Sequence, residues 1–128
     1  MSISKERFGE LTEDLLFQSE TDAPITYYEL SAEKSQQWPP SEGGQFLRLI
    51  GAAPSTPVET LAPEKFFKDL LPGNEDFKDQ VAEFSKYLTE ELSDLEGFRV
   101  GHIQIKIFVL GKDDSGKVAG LQTLSVET

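Results

Sequence analysis

The sequence contains no cysteine and a single histidine, His102, among its 128 residues. Disulfide bonds and a cysteine nucleophile are therefore excluded, as is a metal site built from several nitrogen or sulfur ligands. Basic residues are scarce, because 12 lysines and arginines stand against 23 aspartates and glutamates, giving a formal net charge of -11. A field of that sign repels nucleic acid and anionic membranes and attracts basic surfaces. We expect no direct binding to either, although acidity also serves solubility alone.

Long apolar runs are absent as well. No segment approaches the roughly 18 apolar residues of a membrane helix, and the first seven residues lack the apolar core of a secretion signal. The expected location is the cytoplasm. A chain of this length with 38% hydrophobic residues is expected to form one globular domain, residues 1–128, around a single core.

Helical spacing of apolar residues appears in three segments. In the first, Phe8, Leu11, Leu15 and Leu16 fall on one stripe behind Ser4, a suitable helix cap. In the last, acidic residues crowd the start, where the helix dipole favours them. The predicted helices are Lys5–Phe17, Pro63–Leu71 and Glu75–Ser93, the last capped by Asn74.

The remaining segments show strand and turn patterns. Alternation from Phe98 to Leu110 places Ile103, Ile105 and Ile107 in the core and predicts a strand that returns, after a turn at 111–116, as Lys117–Val126. Shorter strands are predicted at Ile25–Leu30, Phe46–Ile50 and Val58–Leu61, with a loop at Gln18–Pro24 and a long irregular connection at 31–45. The sequence therefore predicts an α+β fold in which helices pack on a mainly antiparallel sheet with a C-terminal β-hairpin.

Catalytic chemistry has little support. His102 lies on the polar face of a predicted strand, where a lone histidine is usually an ordinary surface residue. The segment Gly111–Gly116 has glycines and a lysine in the wrong order for a phosphate-binding loop. We assign no catalytic residue and no cofactor, and an enzyme that uses His102 with acidic neighbours is kept only as an alternative.

Two features suit a protein that binds a partner. One is the acidic loop that holds Ser19, Glu20 and Asp22 ahead of Pro24, and the other is Thr128, which ends the sequence directly after a strand. Carboxylates on rigid supports can imitate the phosphates of a nucleic acid or approach a hard cation in another protein. The alternative is that both features are merely structural.

These same segments resemble a known family, the nuclease A inhibitors of cyanobacteria and other bacteria. The resemblance covers nearly the whole chain, is weakest at 31–60, and depends on the order and spacing of short motifs. The motifs are Leu15-Leu16-Phe17-Gln18-Ser19-Glu20 followed by Pro24, Phe66-Phe67, Val81-Ala82-Glu83-Phe84, Phe98-Arg99-Val100-Gly101, Val109-Leu110-Gly111, Val118-Ala119-Gly120 and Val126-Glu127-Thr128.

The resemblance implies a three-layer α/β/α sandwich and a function. Members of the family block a ββα-metal nuclease that cuts DNA and RNA alike, presenting a loop glutamate and a C-terminal threonine carboxylate toward its magnesium through water. Glu20 and Thr128 match those two groups. We also assign Ser19, Asp22, Glu75 and Asp76 to the partner-binding surface, expect a monomer in a 1:1 complex, and assign the protein no metal of its own.

One departure from the family pattern concerns the loop between the two central helices. In the family this loop is longer and carries a tryptophan that adds to the nuclease contact, whereas here Pro72–Phe77 has none and Trp38 lies elsewhere. Phe77 either replaces it or faces the core. The alternative function is therefore an interaction module of the same fold whose partner is not a nuclease.

Overall fold

The computed structural model describes residues 3–128, so Met1 and Ser2, which the predicted domain of residues 1–128 includes, lie outside the described part. The elements are α1 Lys5–Thr12, β1 Leu16–Gln18, β2 Asp22–Pro24, β3 Thr26–Glu29, α2 Ala32–Ser35, α3 Gly43–Leu49, β4 Val58–Leu61, α4 Pro63–Leu70, a 3-10 turn Glu75–Phe77, α5 Lys78–Glu91, β5 Ser93–His102, β6 Gln104–Lys112 and β7 Val118–Val126. Five antiparallel strands form the main sheet in the order β3-β7-β6-β5-β4, and β1 and β2 form a separate hairpin. Within the described residues, no helix has the length and apolarity to cross a membrane.

The sheet separates two hydrophobic clusters, because side chains alternate between the two faces of a strand. Along β6, Ile107 and Val109 belong to one cluster, while Phe108 and Leu110 belong to the other. The α+β class and the mainly antiparallel sheet are thus confirmed, as are the predicted strands near β3 and β4.

The first cluster packs α1, α4 and α5 on the sheet. Apolar spacing correctly predicts α4 and α5, although the helix predicted at Glu75–Ser93 begins only at Lys78, after the 3-10 turn, and ends at Glu91. The prediction of a helix at Lys5–Phe17 is wrong at its end. The helix stops at Thr12, and Leu15 and Phe17 are buried from an extended segment in which Leu16 points outward. The predicted loop at Gln18–Pro24 therefore contains part of a short hairpin. Alternating burial of Leu15, Leu16 and Phe17 is a strand pattern that the helical stripe had concealed.

The second cluster contradicts the predicted strand at Phe46–Ile50. That segment belongs to α3, which buries Phe46, Leu47 and Leu49 and leaves Arg48 in solvent. The ring of Phe46 stacks on that of Phe98 at 4.0 Å between centroids, so tertiary packing decides the local structure. The connection at 31–45 is also more ordered than predicted, because it holds α2, the start of α3 and a buried Trp38.

The predicted strand Phe98–Leu110 is two strands. Gly101 (φ 119°) and Ile103 (φ 66°) adopt positive φ, so the chain reverses there and His102 pairs with Gln104. Ile103 is 46% exposed, which makes its assignment to the core wrong. The second hairpin, between β6 and β7, lies where it was predicted, and it carries Thr128 to the same end of the sheet as this turn.

Candidate functional site

The loop that joins β1 to β2 is closed by Ser19. Its Oγ donates to the carbonyl oxygen of Thr21 at 3.1 Å and accepts from the Thr21 amide at 3.4 Å. A serine hydroxyl that bonds the backbone two residues ahead stabilises a tight turn. Glu20 lies at the tip of this turn, and its side chain is exposed.

The same loop is attached to the end of β7. The Val126 amide donates to Ser19 Oγ at 2.9 Å, and the Glu20 amide donates to the Val126 carbonyl at 3.2 Å. Two hydrogen bonds of opposite direction therefore fix the loop against the last strand. The position of Glu20 depends on the position of the chain end.

Glu20 and Thr128 are in direct contact. The Thr128 amide donates to Glu20 Oε2 at 2.5 Å, and the Thr128 hydroxyl lies 2.7 and 2.8 Å from the two Glu20 oxygens. Both residues are exposed, so the hydrogen bonds hold the carboxylate in place without removing it from solvent. The Glu20 carboxylate is therefore held by both the backbone and the side chain of Thr128.

Glu127, which lies between Val126 and Thr128 in the sequence, is held by a separate network of hydrogen bonds. Arg99 Nη2 donates to both oxygens of the Glu127 carboxylate at 2.6 and 2.7 Å, and Ser125 Oγ donates to one of them at 2.6 Å. These bonds, with that of Arg99 the largest cause, hold the pKa of Glu127 below its ordinary value. Arg99 Nε also donates to Glu59 on the neighbouring strand at 2.8 Å, so this arginine joins two carboxylates.

An open groove of about 570 Å³ runs along this end of the molecule. Its acidic lining side chains are Glu20, Asp69 and Glu127, and the one cation among the described lining residues is Arg99. The groove is therefore negative, and it suits a basic partner or one that carries a cation.

The other predicted site residues lie apart from the groove. Asp22 pairs with Gln18 in the small hairpin and lines a different groove, which it shares with Lys106. Glu75 and Asp76 are exposed in the 3-10 turn, where Glu75 accepts from the Gly73 amide at 3.0 Å, a bond that lowers its pKa. The structure thus brings Ser19, Glu20 and Thr128 together and leaves Asp22, Glu75 and Asp76 outside their groove.

The loop of Glu75 and Asp76 is nevertheless anchored to β1, through Asn74. This residue is 3% exposed, and its side chain does not cap α5 as predicted. Instead, Nδ2 donates to the carbonyl oxygens of Leu16 at 2.8 Å and Leu70 at 2.7 Å, and Oδ1 accepts from the Leu16 amide at 3.2 Å. The buried amide ties the end of α4 to the strand that leads into Glu20.

Three residues with exposed apolar side chains are hydrogen-bonded to Asn74 through their backbones. Leu16 is bonded to the Asn74 side chain, and the Asn74 backbone is bonded to Leu71 and Phe77. Leu16, Leu71 and Phe77 are each 40% exposed, and we call them the apolar patch. Only one further large hydrophobic residue in the described chain, Ile103, is as exposed.

A metal-ion site among residues 3–128 would have to draw on acidic and histidine side chains. No group of three or more histidine, aspartate or glutamate side chains is arranged there to hold a metal ion. His102 is exposed at the end of β5, beside the tight turn at Ile103.

Sequence reasoning missed Arg99 and Glu127 as members of the site. Both belong to motifs that carry the family resemblance, but neither had a role assigned to it. The usable signal was an arginine between the apolar residues Phe98 and Val100 of a strongly acidic chain, since such a charge requires a partner.

Comparison with known proteins assigns the chain. A family model described as nuclease A inhibitor-like protein matches residues 4–128. No curated protein matches the sequence. The matched region includes every residue of the groove described above.

Proposed function

The chain belongs to the nuclease A inhibitor-like family, and on this premise we propose that it inhibits a magnesium-dependent, sugar-nonspecific ββα-metal endonuclease. The carboxylate of Glu20 and the α-carboxylate of Thr128 are the groups that approach the metal of the nuclease. The observation that carries the proposal is the direct contact between these residues, 2.7 Å from hydroxyl to carboxylate.

The physical advantage of this contact is preorganisation. A loop and a chain end that were free would lose conformational freedom on binding, which costs about 0.5–1.5 kcal/mol for each side chain immobilised. Here hydrogen bonds from Thr128, Val126 and Ser19 already hold the loop in the free protein. Two carboxylates presented together offer the oxygen ligands that Mg²⁺ and its water shell accept.

The net charge supports the same proposal. The active site of a nuclease is basic because it binds phosphates, and a protein with a formal charge of -11 is attracted to it. The negative groove would therefore compete with nucleic acid for that site. The protein itself needs no catalytic residue in this role, and we propose that it is not an enzyme.

Several broader features belong to the proposal. The two hydrophobic clusters, one on each side of the sheet, support a three-layer α/β/α sandwich in a single domain. We further propose that the protein is a cytoplasmic monomer that forms a 1:1 complex. It binds neither nucleic acid nor membrane directly.

The apolar patch extends the proposed interface. In the family that this chain resembles, a tryptophan in the loop between the central helices reaches the nuclease. This chain has no tryptophan in that loop. Phe77, one of the two possibilities left open by the sequence, is exposed and, like Leu16 and Leu71, is hydrogen-bonded to Asn74. Exposed aromatic side chains beside a charged site are typical anchors of an interface.

The test is inhibition of a magnesium-dependent, sugar-nonspecific nuclease by the purified protein. We expect stoichiometric inhibition by the wild type and weaker inhibition by Glu20→Ala. Glu33→Ala is the matched control, because Glu33 is an exposed carboxylate in α2, which is bonded to the opposite end of β7 through Ser35. Inhibition that is equal in Glu20→Ala and the wild type would refute the role of Glu20.

The second candidate function is an interaction module with a partner that is not a nuclease. The short, tryptophan-free loop at 72–77 favours it. The discriminating result is the absence of inhibition by folded protein at micromolar concentration with more than one such nuclease, together with co-purification of a protein that lacks nuclease activity.

A further inference from the structure

We propose that Arg99 is a positioning residue of the inhibitory site, one that holds Glu127 and thereby keeps the α-carboxylate of Thr128 beside Glu20. The inference rests on the proposed function for its consequence. The positioning itself can be measured without any nuclease.

The geometry restrains Arg99 from two sides. Its side chain is 20% exposed, Nε bonds Glu59 at 2.8 Å, and Nη2 bonds Glu127 at 2.6 and 2.7 Å. Glu59 lies opposite Arg99 on the neighbouring strand β4. The guanidinium is therefore held by a residue of the sheet as well as by Glu127. A planar guanidinium with two partners in fixed directions orients a carboxylate better than a flexible ammonium does.

Glu127 passes this restraint to Thr128. The Glu127 amide donates to the Ile103 carbonyl at 2.8 Å, and its carboxylate is bonded by Arg99 and Ser125. Backbone and side chain of Glu127 are therefore both fixed, and this fixes the point from which Thr128 extends. The Thr128 amide then meets Glu20.

Charge makes the restraint necessary. Glu127 stands in a groove that also contains Glu20, Asp69 and Thr128. Without Arg99 this lining would carry no cation among its described residues, and negative charges that share one groove repel one another. Repulsion would push the last residues of the chain away from Glu20.

Two accounts of Arg99 predict opposite results. If electrostatic steering alone mattered, removing a cation from an acidic protein would speed association with a basic nuclease and strengthen inhibition. If Arg99 positions the chain end, its removal weakens inhibition even though the protein becomes more acidic. The sign of the change therefore decides between them.

The binding experiment compares Arg99→Gln, Arg99→Lys and Lys86→Gln by association and dissociation rates with the nuclease. We expect Arg99→Gln to dissociate about tenfold faster without slower association, and Arg99→Lys to recover part of the loss. Lys86→Gln changes net charge equally, but Lys86 is an exposed residue of α5 paired only loosely with Glu90, so its dissociation rate should not change. An unchanged dissociation rate in Arg99→Gln would overturn the inference.

The second measurement uses the free protein. Backbone ¹⁵N relaxation should show Thr128 in Arg99→Gln falling from the range of ordered backbone, about 0.85 in order parameter, to below about 0.6, while Val109 in the central strand β6 stays ordered. Unchanged order at Thr128 would refute positioning regardless of any inhibition. If Thr128 loosens in Arg99→Gln but the wild-type protein inhibits no nuclease, the positioning role of Arg99 stands and the proposed function is refuted.

Discussion

The hydroxyl of Thr128 donates to Glu20, a residue 108 positions earlier in the sequence, at 2.7 and 2.8 Å from its two carboxylate oxygens. The contact joins the last residue to a loop near the start of the chain. Its partners are exposed, so its strength is that of a hydrogen bond to a charged group in solvent. This relation gives the side chain of Thr128 a role that is separate from its α-carboxylate.

Thr128→Val should therefore weaken nuclease inhibition by up to about tenfold, because a hydrogen bond worth about 1.5 kcal/mol no longer orders the chain end before it binds. Valine keeps the shape of threonine and the α-carboxylate but cannot donate. Thr128→Ser is the matched control, since it keeps the hydroxyl. Inhibition constants measured side by side would contradict the prediction if valine and threonine proved equal.

The ion pair of Glu127 predicts a pH dependence of stability. Hydrogen bonds from Arg99, and secondarily Ser125, place the pKa of Glu127 below its ordinary value of 4.5. A carboxylate with a depressed folded-state pKa stabilises the protein fully above its unfolded-state pKa and loses that contribution as pH falls through the folded-state pKa. The free energy of unfolding should therefore decrease as the solution is acidified below about pH 5.

Urea unfolding at a series of pH values, with Glu127→Gln beside the wild type, measures this contribution. The variant should show a smaller acid-induced loss. The loss that remains in it is expected from Glu29 and Glu75, whose pKa values are also lowered, by Lys117 and by the Gly73 amide respectively. Parallel curves for the two proteins would show that Glu127 does not contribute.

Substitution of Phe77 should affect inhibition without a comparable effect on stability. Phe77→Ala removes a side chain that is 40% exposed, so the free energy of unfolding should change by less than about 1 kcal/mol. Inhibition should weaken about tenfold or more if Phe77 is an interface anchor. Phe84→Ala, at a fully buried position, should instead cost about 3–5 kcal/mol in stability. Unaltered inhibition by Phe77→Ala would remove the apolar patch from the interface.

Ile103 offers a gain in stability. A β-branched residue at φ 66° is strained by roughly 1–2 kcal/mol, and its side chain is 46% exposed, so little burial is lost on replacement. Ile103→Asn should raise the free energy of unfolding by about 1 kcal/mol, because asparagine tolerates positive φ. Ile103→Val keeps the strain and should bring no gain. Thermal or urea unfolding that finds the asparagine variant less stable would contradict this.

The elements that the sequence predicts well are those whose apolar spacing agrees with their final packing. In α4 and α5, Phe66, Phe67, Phe84 and Leu88 are buried at helical intervals, and β7 follows a clear turn. Local preference and tertiary contact favour the same structure there, so the local sequence pattern alone is enough to predict these elements.

Prediction fails where packing overrides local preference. The segment Phe46–Ile50 has strand-like composition but forms a helix, since its aromatic ring must reach Phe98. Ile103 continues an alternating pattern yet sits in a turn that a residue of its type disfavours. Nothing in a short window reports these long-range requirements.

The site divides in the same way. Glu20 and Thr128 follow from the family resemblance, and the structure places them in contact. Arg99 and Glu127 are 28 residues apart in sequence, and their ion pair depends on the register of three strands. That register is a property of the whole sheet, so no local motif predicts the pair.

Gly120 has a consequence for how long β7 must be. A Cβ at this position would lie 2.0 Å from the Val109 carbonyl oxygen, so the close approach fixes how β7 lies against β6. From that fixed point, adding or removing two residues would displace the chain end by roughly 7 Å, and a change of one would turn its side chain to the opposite face. The number of residues from Gly120 to Thr128 therefore determines whether Thr128 reaches Glu20. For this reason we expect β7 to tolerate changes of sequence far more readily than changes of length.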